Sequence, residues 1–231
     1  MWLASDPIPI HRRVEKLTTP AIKLIGTPAS RVMRNIWMLA ELGLAYEHDP
    51  ITTADTRLKQ PPYTEWNPNG KIPILIVDGF AIYESLAINF YLDLRFPSAL
   101  SLHTVEERAL ALQWAMWVLT EVEAHSFNWY LNSIGKPMDE RDAAVAREAW
   151  QKLQAPLAVL EKSLAERPYL LGETFKVADL NVAAVMYRAL WMPLEAFPRT
   201  QDWLERCWAR DGGRAARWAR EGGQDARLAR K

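Results

Sequence analysis

An α/β unit followed by an all-helical unit is the fold class that this sequence predicts, and three observations predict it. Asp78-Gly79 stands between two short apolar runs, a strong signal for a two-residue hairpin turn. Upstream of it, a strand-like run, a helical stretch and the entry to a second strand follow one another. Downstream of Arg95-Phe96-Pro97 the β-branched runs give way to a long stretch of Ala, Leu, Trp, Glu and Arg with helical spacing.

Taken in order, Ile22-Lys23-Leu24-Ile25-Gly26 reads as the first strand. Residues 31–42 read as a helix ended by Gly43, and Tyr46-Glu47 enters the second strand. The run from Ile74 to Val77 is apolar throughout and suits a buried strand; Phe80 to Tyr83 is the strand returning from the hairpin. A helix opens at Ser85. This gives βαβ followed by ββα over residues 21–97, after an N-terminal extension of residues 1–20. Residues 98–104 form a linker. Over 105–132 the apolar positions, among them Leu110, Trp114, Trp117, Val118 and Val122, fall at helical spacing, and with a second helix over 141–164 they predict a helical hairpin. A third helix is expected over 178–190, within an all-helical unit of residues 105–210. Residues 211–231 are a weak internal repeat in which Gly212-Gly213 and Gly222-Gly223 would interrupt a helix, so a basic, frayed tail is expected.

Composition bounds the function. The chain has 231 residues, 49% of them hydrophobic, enough for one large core or two small ones, and two small domains are the preferred reading. Lys plus Arg equals Asp plus Glu at 28 each, so no overall field draws the chain to nucleic acid or to an anionic membrane. The single cysteine, Cys207, excludes an internal disulfide framework and suits a reducing compartment; a buried structural role is expected for it. No apolar stretch reaches membrane-spanning length. The first twenty residues, with Pro7, Pro9, Glu15 and His11-Arg12-Arg13, make a poor signal peptide, so a cytoplasmic location is expected. His11, His48, His103 and His125 lack the spacing of a zinc site, and no metal is assigned.

The chemistry concentrates in Asn67-Pro68-Asn69-Gly70-Lys71-Ile72-Pro73 and Glu84-Ser85. A proline after Ile72 at a strand entrance is a natural place for a cis peptide bond, which would free the Ile72 N–H and C=O for an extended ligand. One hairpin later, Ser85 and the unpaired N–H groups of a helix start suit a carboxylate, and Glu84 suits an ammonium. An amino acid carries both charges on one carbon. The γ-glutamyl end of glutathione therefore fits this pair, with its cysteinyl part along Ile72. The plainer reading is a turn, an edge strand and a serine N-cap.

The motifs Asn-Pro-x-Gly-Lys-Ile-Pro and Glu84-Ser85-Leu86-Ala87-Ile88 resemble those of the soluble glutathione transferase superfamily, and the chain looks like a serine-type, bacterial-like member. The resemblance implies a thioredoxin-like α/β N-terminal domain, an all-α C-terminal domain and a homodimer. It also implies glutathione as co-substrate, held by Lys71, Ile72, Glu84 and Ser85, with Lys71 near the glycine carboxylate. Phe175-Lys176-Val177-Ala178-Asp179 departs from the family's Phe-Ser/Thr-x-x-Asp, because lysine cannot accept the capping hydrogen bond.

Catalysis requires the glutathione thiol to ionise, since the thiolate is the nucleophile. Ser30, in Thr27-Pro28-Ala29-Ser30-Arg31 at the first helix N-terminus, is the expected hydroxyl donor, with Thr27 the fallback and an N-cap the competing role for Ser30. Arg31 and Arg34 are near enough to add positive potential, although such residues are more often solvated. No cysteine or tyrosine lies in that turn, which disfavours thiol transferases and tyrosine-type enzymes. Conjugation to a small apolar electrophile is expected, in a pocket enriched by Trp114, Met116, Trp117, Phe127, Trp129 and Tyr130, any of which could equally be core. The alternative is a non-catalytic, glutathione transferase-like module that binds ligands or partners.

Overall fold

The computed structural model describes residues 20–222. The expected N-terminal extension, apart from Pro20, and the second copy of the C-terminal repeat beyond Gly222 lie outside the described residues. Strands β1 (Ile22–Ile25), β2 (Glu47–Asp49), β3 (Ile74–Val77) and β4 (Phe80–Tyr83) form one sheet in the order β2-β1-β3-β4. β1 pairs parallel to β2 and antiparallel to β3, which pairs antiparallel to β4. Leu24 and Leu75 pair at the sheet centre and are fully buried. The β3–β4 turn has φ of 50° at Asp78 and 85° at Gly79, the left-handed pair that an Asp-Gly hairpin supplies. The Ile72–Pro73 peptide is cis, as expected from the sequence.

Helix α1 (Met33–Glu41) follows a π-helical turn at Pro28–Val32, and α3 (Ser85–Arg95) follows β4; between them lies the single turn α2 (Tyr63–Trp66). Past the linker, α4 (Val105–Trp117) opens on a reciprocal capping box. Thr104 Oγ1 accepts from the Glu107 N–H, and Glu107 Oε2 accepts from the Thr104 N–H. The helical course continues to residue 135 through a π-turn at Val118–Glu123, α5 (Ala124–Tyr130) and a second π-turn at Leu131–Gly135. α6 (Ala143–Ser163), α7 (Val177–Val185), α8 (Pro198–Trp208) and α9 (Asp211–Arg220) complete the unit, with a 3₁₀ segment at Met186–Trp191 after α7.

Two sequence expectations are corrected here. The two units do not keep separate small cores: one cluster runs from Leu24, Trp37 and Leu75 through Trp114 and Val182 to Trp203 and Trp208, and among the described residues Ile25, Ile51, Leu58 and Ile74 form a separate group. The second correction concerns 211–220, which is a docked helix and not a frayed tail. Gly212 and Gly213 do not break it, because their missing side chains are what allow it to lie on α1. A Cβ on Gly213 would stand 3.1 Å from the Trp37 ring, and one on Gly212 would stand 2.8 Å from the Glu41 side chain. Arg210 then locks this end with two hydrogen bonds to the Glu41 carboxylate at 2.9 and 2.7 Å. Cys207, expected on the final helix, lies on α8 with α9 still to follow; it is fully buried, and burial pushes its thiol well above the ordinary value.

Candidate active site

Thr27 caps the turn that leaves β1, its Oγ1 accepting from the Ala29 N–H at 3.4 Å. Ser30 interrupts that turn with a non-helical backbone (φ −107°, ψ −162°). Its Oγ donates to the Thr27 carbonyl at 2.7 Å and accepts from the Val32 N–H at 3.2 Å. Ser30 is thus a local cap and also part of the wall of a cavity of about 540 Å³, a size suited to a small ligand. Ile72 lines the same cavity, and among the described residues its N–H and C=O have no backbone partner.

Glu84 and Ser85 begin α3. Glu84 is exposed and holds φ at 69°, a left-handed conformation that costs a non-glycine residue about 1–2 kcal/mol. Strain of this kind concentrates where a side chain must be aimed at a ligand. Ser85 is buried, and its Oγ accepts from Arg34 Nη1 at 3.2 Å, which leaves its own hydroxyl proton without an acceptor among the described residues. Lys71 is exposed next to Ile72; the loop around it is held by Asn67 Nδ2 donating to the Lys71 carbonyl and by Lys59 Nζ donating to the Gly70 carbonyl.

Arg34 joins these parts. Of the two roles the sequence left open for it, added positive potential or a solvated side chain, the solvated one does not hold: it is 3% exposed, lines the cavity, and donates both to Ser85 and, through Nη2 at 2.5 Å, to Glu123 of the helical unit. Arg31 is exposed and meets the same carboxylate oxygen at 2.9 Å. Sequence reasoning missed Glu123, whose partner lies 89 residues away. It also missed Asn35, whose Nδ2 donates at 2.8 Å to both the Ser85 carbonyl and Asn89 Oδ1. Burial alone would raise the Glu123 carboxyl, but Arg34 and Arg31 outweigh it and hold it below its ordinary value of 4.5. Burial also pushes the Arg34 guanidinium down while Glu123 pulls it back, so the carboxylate is the member of the pair that acid reaches first.

That shift sets a pH dependence. A carboxyl depressed in the folded state contributes stability above its unfolded value and loses it as pH falls through the folded one. The wild-type melting temperature should therefore drop more steeply below pH 4.5 than that of Glu123→Gln, read by thermal melts from pH 7 to pH 3.

The helical unit closes the cavity. Leu119 and Glu123 come from the first π-turn, Ala124 and Phe127 from α5, and Tyr187 and Arg188 from the 3₁₀ segment. Arg220 Nη1 donates to the carbonyls of Ala29 and Ser30 at 2.8 and 3.0 Å, so the last helix holds the turn that carries Ser30. Of the bulky residues expected to enrich the pocket, Phe127 lines it, whereas Trp114 is core and Met116 is exposed.

Two family models match the chain. Residues 20–94 match the glutathione S-transferase N-terminal domain, and residues 114–211 match the C-terminal domain. Glutathione S-transferase 3 of Zea mays is 31% identical over 202 residues, which span 82% of this chain and 90% of the maize protein. The chain belongs to the glutathione S-transferase family. Among solved structures, glutathione S-transferase-I bound with lactoylglutathione is 27% identical with a TM-score of 0.76, covering 87% of this chain and 99% of that one. The theta class enzyme of Xanthomonas axonopodis pv. citri, solved with glutathione bound, is 29% identical with the same TM-score and covers 90% and 99%. In this glutathione S-transferase the thioredoxin-like sheet and the helical unit take the places expected from the sequence. Among the described residues no group of three or more His, Cys, Asp and Glu could hold a metal ion, and no helix is long and apolar enough to cross a membrane.

Proposed function

We propose that the chain is a serine-type glutathione transferase that adds the glutathione thiolate to a small electrophile with an apolar reacting end. The observation that supports this best is the joining of the two halves of the ligand site. Arg34 lines the cavity that Ser30 and Ile72 share, and it holds the Ser85 hydroxyl with its proton free for a carboxylate. In this reading the γ-glutamyl carboxylate takes that proton and the first-turn N–H groups of α3, its ammonium meets Glu84, and the cysteinyl backbone pairs with Ile72. The glycine carboxylate lies toward Lys71.

The Ser30 hydroxyl turns from the Thr27 carbonyl to the glutathione sulfur while the Val32 N–H still donates to its oxygen, which strengthens the hydroxyl as a donor. The thiol proton leaves to solvent, and the thiolate is stabilised by Ser30 and by the positive helix start. The sulfur then attacks an electrophilic carbon lying against Leu119, Ala124 and Phe127. Detoxification in the cytoplasm by a homodimer is the biological setting we infer, from the family resemblance and the single buried cysteine. The similarity of the chain to maize and to Xanthomonas enzymes is comparable, so the serine-type reading rests on Ser30 and not on a bacterial affinity.

A glutathione titration that follows thiolate ultraviolet absorbance against pH tests this reading. The wild type should lower the bound thiol pKa and Ser30→Ala should restore it, with kcat falling about 100-fold, the cost of losing one donor to a developing anion. Affinity for glutathione should change little. Full activity in Ser30→Ala together with its loss in Thr27→Ala would overturn the assignment. Binding without a lowered pKa in the wild type would favour a ligand carrier.

A further inference from the structure

The cavity wall carries more positive charge than thiolate chemistry at Ser30 uses. Four arginines, Arg31, Arg34, Arg188 and Arg220, face one carboxylate, Glu123. Arg31 and Arg34 share that carboxylate, and Arg220 is engaged with the carbonyls of Ala29 and Ser30. Arg188 has no carboxylate partner and no hydrogen-bond acceptor among the described residues. It stands half-buried, 4.6 Å over the Phe127 ring and 5.9 Å from the Tyr130 ring centre. Burial first, then Arg220 and Arg34, push its guanidinium down to about 10, so the site disfavours this charge as it stands. A cation held in such a place with its N–H donors unused is matched by an oxyanion that enters with a ligand. The proposed positions of the γ-glutamyl and glycine carboxylates, at Ser85 and Lys71, lie outside the cavity lining, so the tripeptide's own carboxylates do not serve it.

We propose that the electrophile carries an anionic group, a carboxylate or sulfonate, and that Arg188 receives it through its guanidinium fork while the carbon skeleton lies on Phe127. Arg188 is then the residue that determines the charge class of the second substrate. This inference rests on the glutathione transferase reading above, and it specifies the substrate class of that same site.

The test uses 4-chloro-3,5-dinitrobenzoate and its methyl ester with glutathione. In both, the thiolate forms a C–S bond at the carbon bearing chlorine, the C–Cl bond breaks, and chloride leaves with the bonding pair. The two probes differ in charge at the far side of the ring. With each kcat/KM divided by the uncatalysed rate, the wild type should prefer the carboxylate. Arg188→Gln should lower kcat/KM for the carboxylate about 10-fold or more, as loss of a charge-assisted pair implies, and leave the ester nearly unchanged. Arg188→Lys, which keeps the charge without the fork, should fall between them. Equal losses on both probes would place Arg188 on the thiolate and overturn the inference, as would a wild-type preference for the ester. Binding of 3,5-dinitrobenzoate, which has no leaving group, read by quenching of tryptophan fluorescence, separates the two readings. If it binds and Arg188→Gln weakens it about 10-fold without any conjugation in the wild type, transfer fails and the anion site stands. If Arg188→Gln leaves that binding unchanged, the anion site fails whatever the turnover.

Discussion

Asp179→Ala should lower the free energy of unfolding by about 4 kcal/mol, the cost of leaving several buried donors unpaired. Asp179 is completely buried near the start of α7. Its Oδ1 accepts from the Leu170 N–H at 2.8 Å and from Trp203 Nε1 at 3.0 Å, and its Oδ2 accepts from the Lys176 N–H at 3.0 Å. One carboxylate thereby ties the loop before α7, the first turn of α7 and the centre of α8. It also explains why lysine at 176 is tolerated. The acidic half of the capping box is kept, and the Lys176 ammonium turns instead to the linker carbonyls of Ala99 and Ser101 at 3.2 and 3.1 Å. Urea unfolding of wild type, Asp179→Ala and Asp179→Asn checks this. The asparagine variant should lose about half as much, because its amide keeps one oxygen as an acceptor and sets its NH₂ against the Lys176 N–H. Losses below about 1 kcal/mol in the alanine variant would mean that the three donors find other partners.

Arg34→Met should cost about 3 kcal/mol of stability and weaken glutathione binding at the same time. The stability figure is the low end for breaking a buried ion pair from one side, since Arg31 stays on Glu123. The binding loss follows from Ser85, whose hydroxyl would no longer be oriented by the Arg34 Nη1 donor. Arg34→Lys separates the two effects. A lysine ammonium can remain with Glu123 but lacks the planar fork that reaches Glu123 and Ser85 together. It should recover much of the stability and little of the affinity, measured by thermal unfolding and by glutathione titration calorimetry. Equal recovery of both would show that charge alone, and not the fork, sets the Ser85 hydroxyl.

The parts of the fold legible in the sequence are those written in local chemistry. Asp78-Gly79 demanded a left-handed turn, Ile74 to Val77 a buried strand, and Glu84-Ser85 a helix start with two charges to satisfy. Ser30 was legible as a hydroxyl in the turn after the first strand, although not that its proton is engaged by the Thr27 carbonyl. What the sequence hid depends on partners far along the chain. Arg34 looks like any arginine on a helix start until Glu123 supplies the buried counter-charge that permits it. Gly212-Gly213 signals a helix break in isolation and becomes a contact surface only when Trp37 and Glu41 lie beneath it. Trp114 is buried in the core while Phe127 lines the cavity, a division set by which distant elements pack against each residue.

The hydrogen bonds from Arg220 to the Ala29 and Ser30 carbonyls span 191 and 190 residues. Synthesis from the N-terminus therefore delivers the serine long before the side chain that clasps its backbone from behind. The strands, α1 and α3 all precede Arg220 along the chain, and the clasp on the Ser30 turn arrives with the last described helix. The backbone around Ser30 is thus held from both ends of the described chain, by its own turn and by a side chain that only the finished polypeptide supplies.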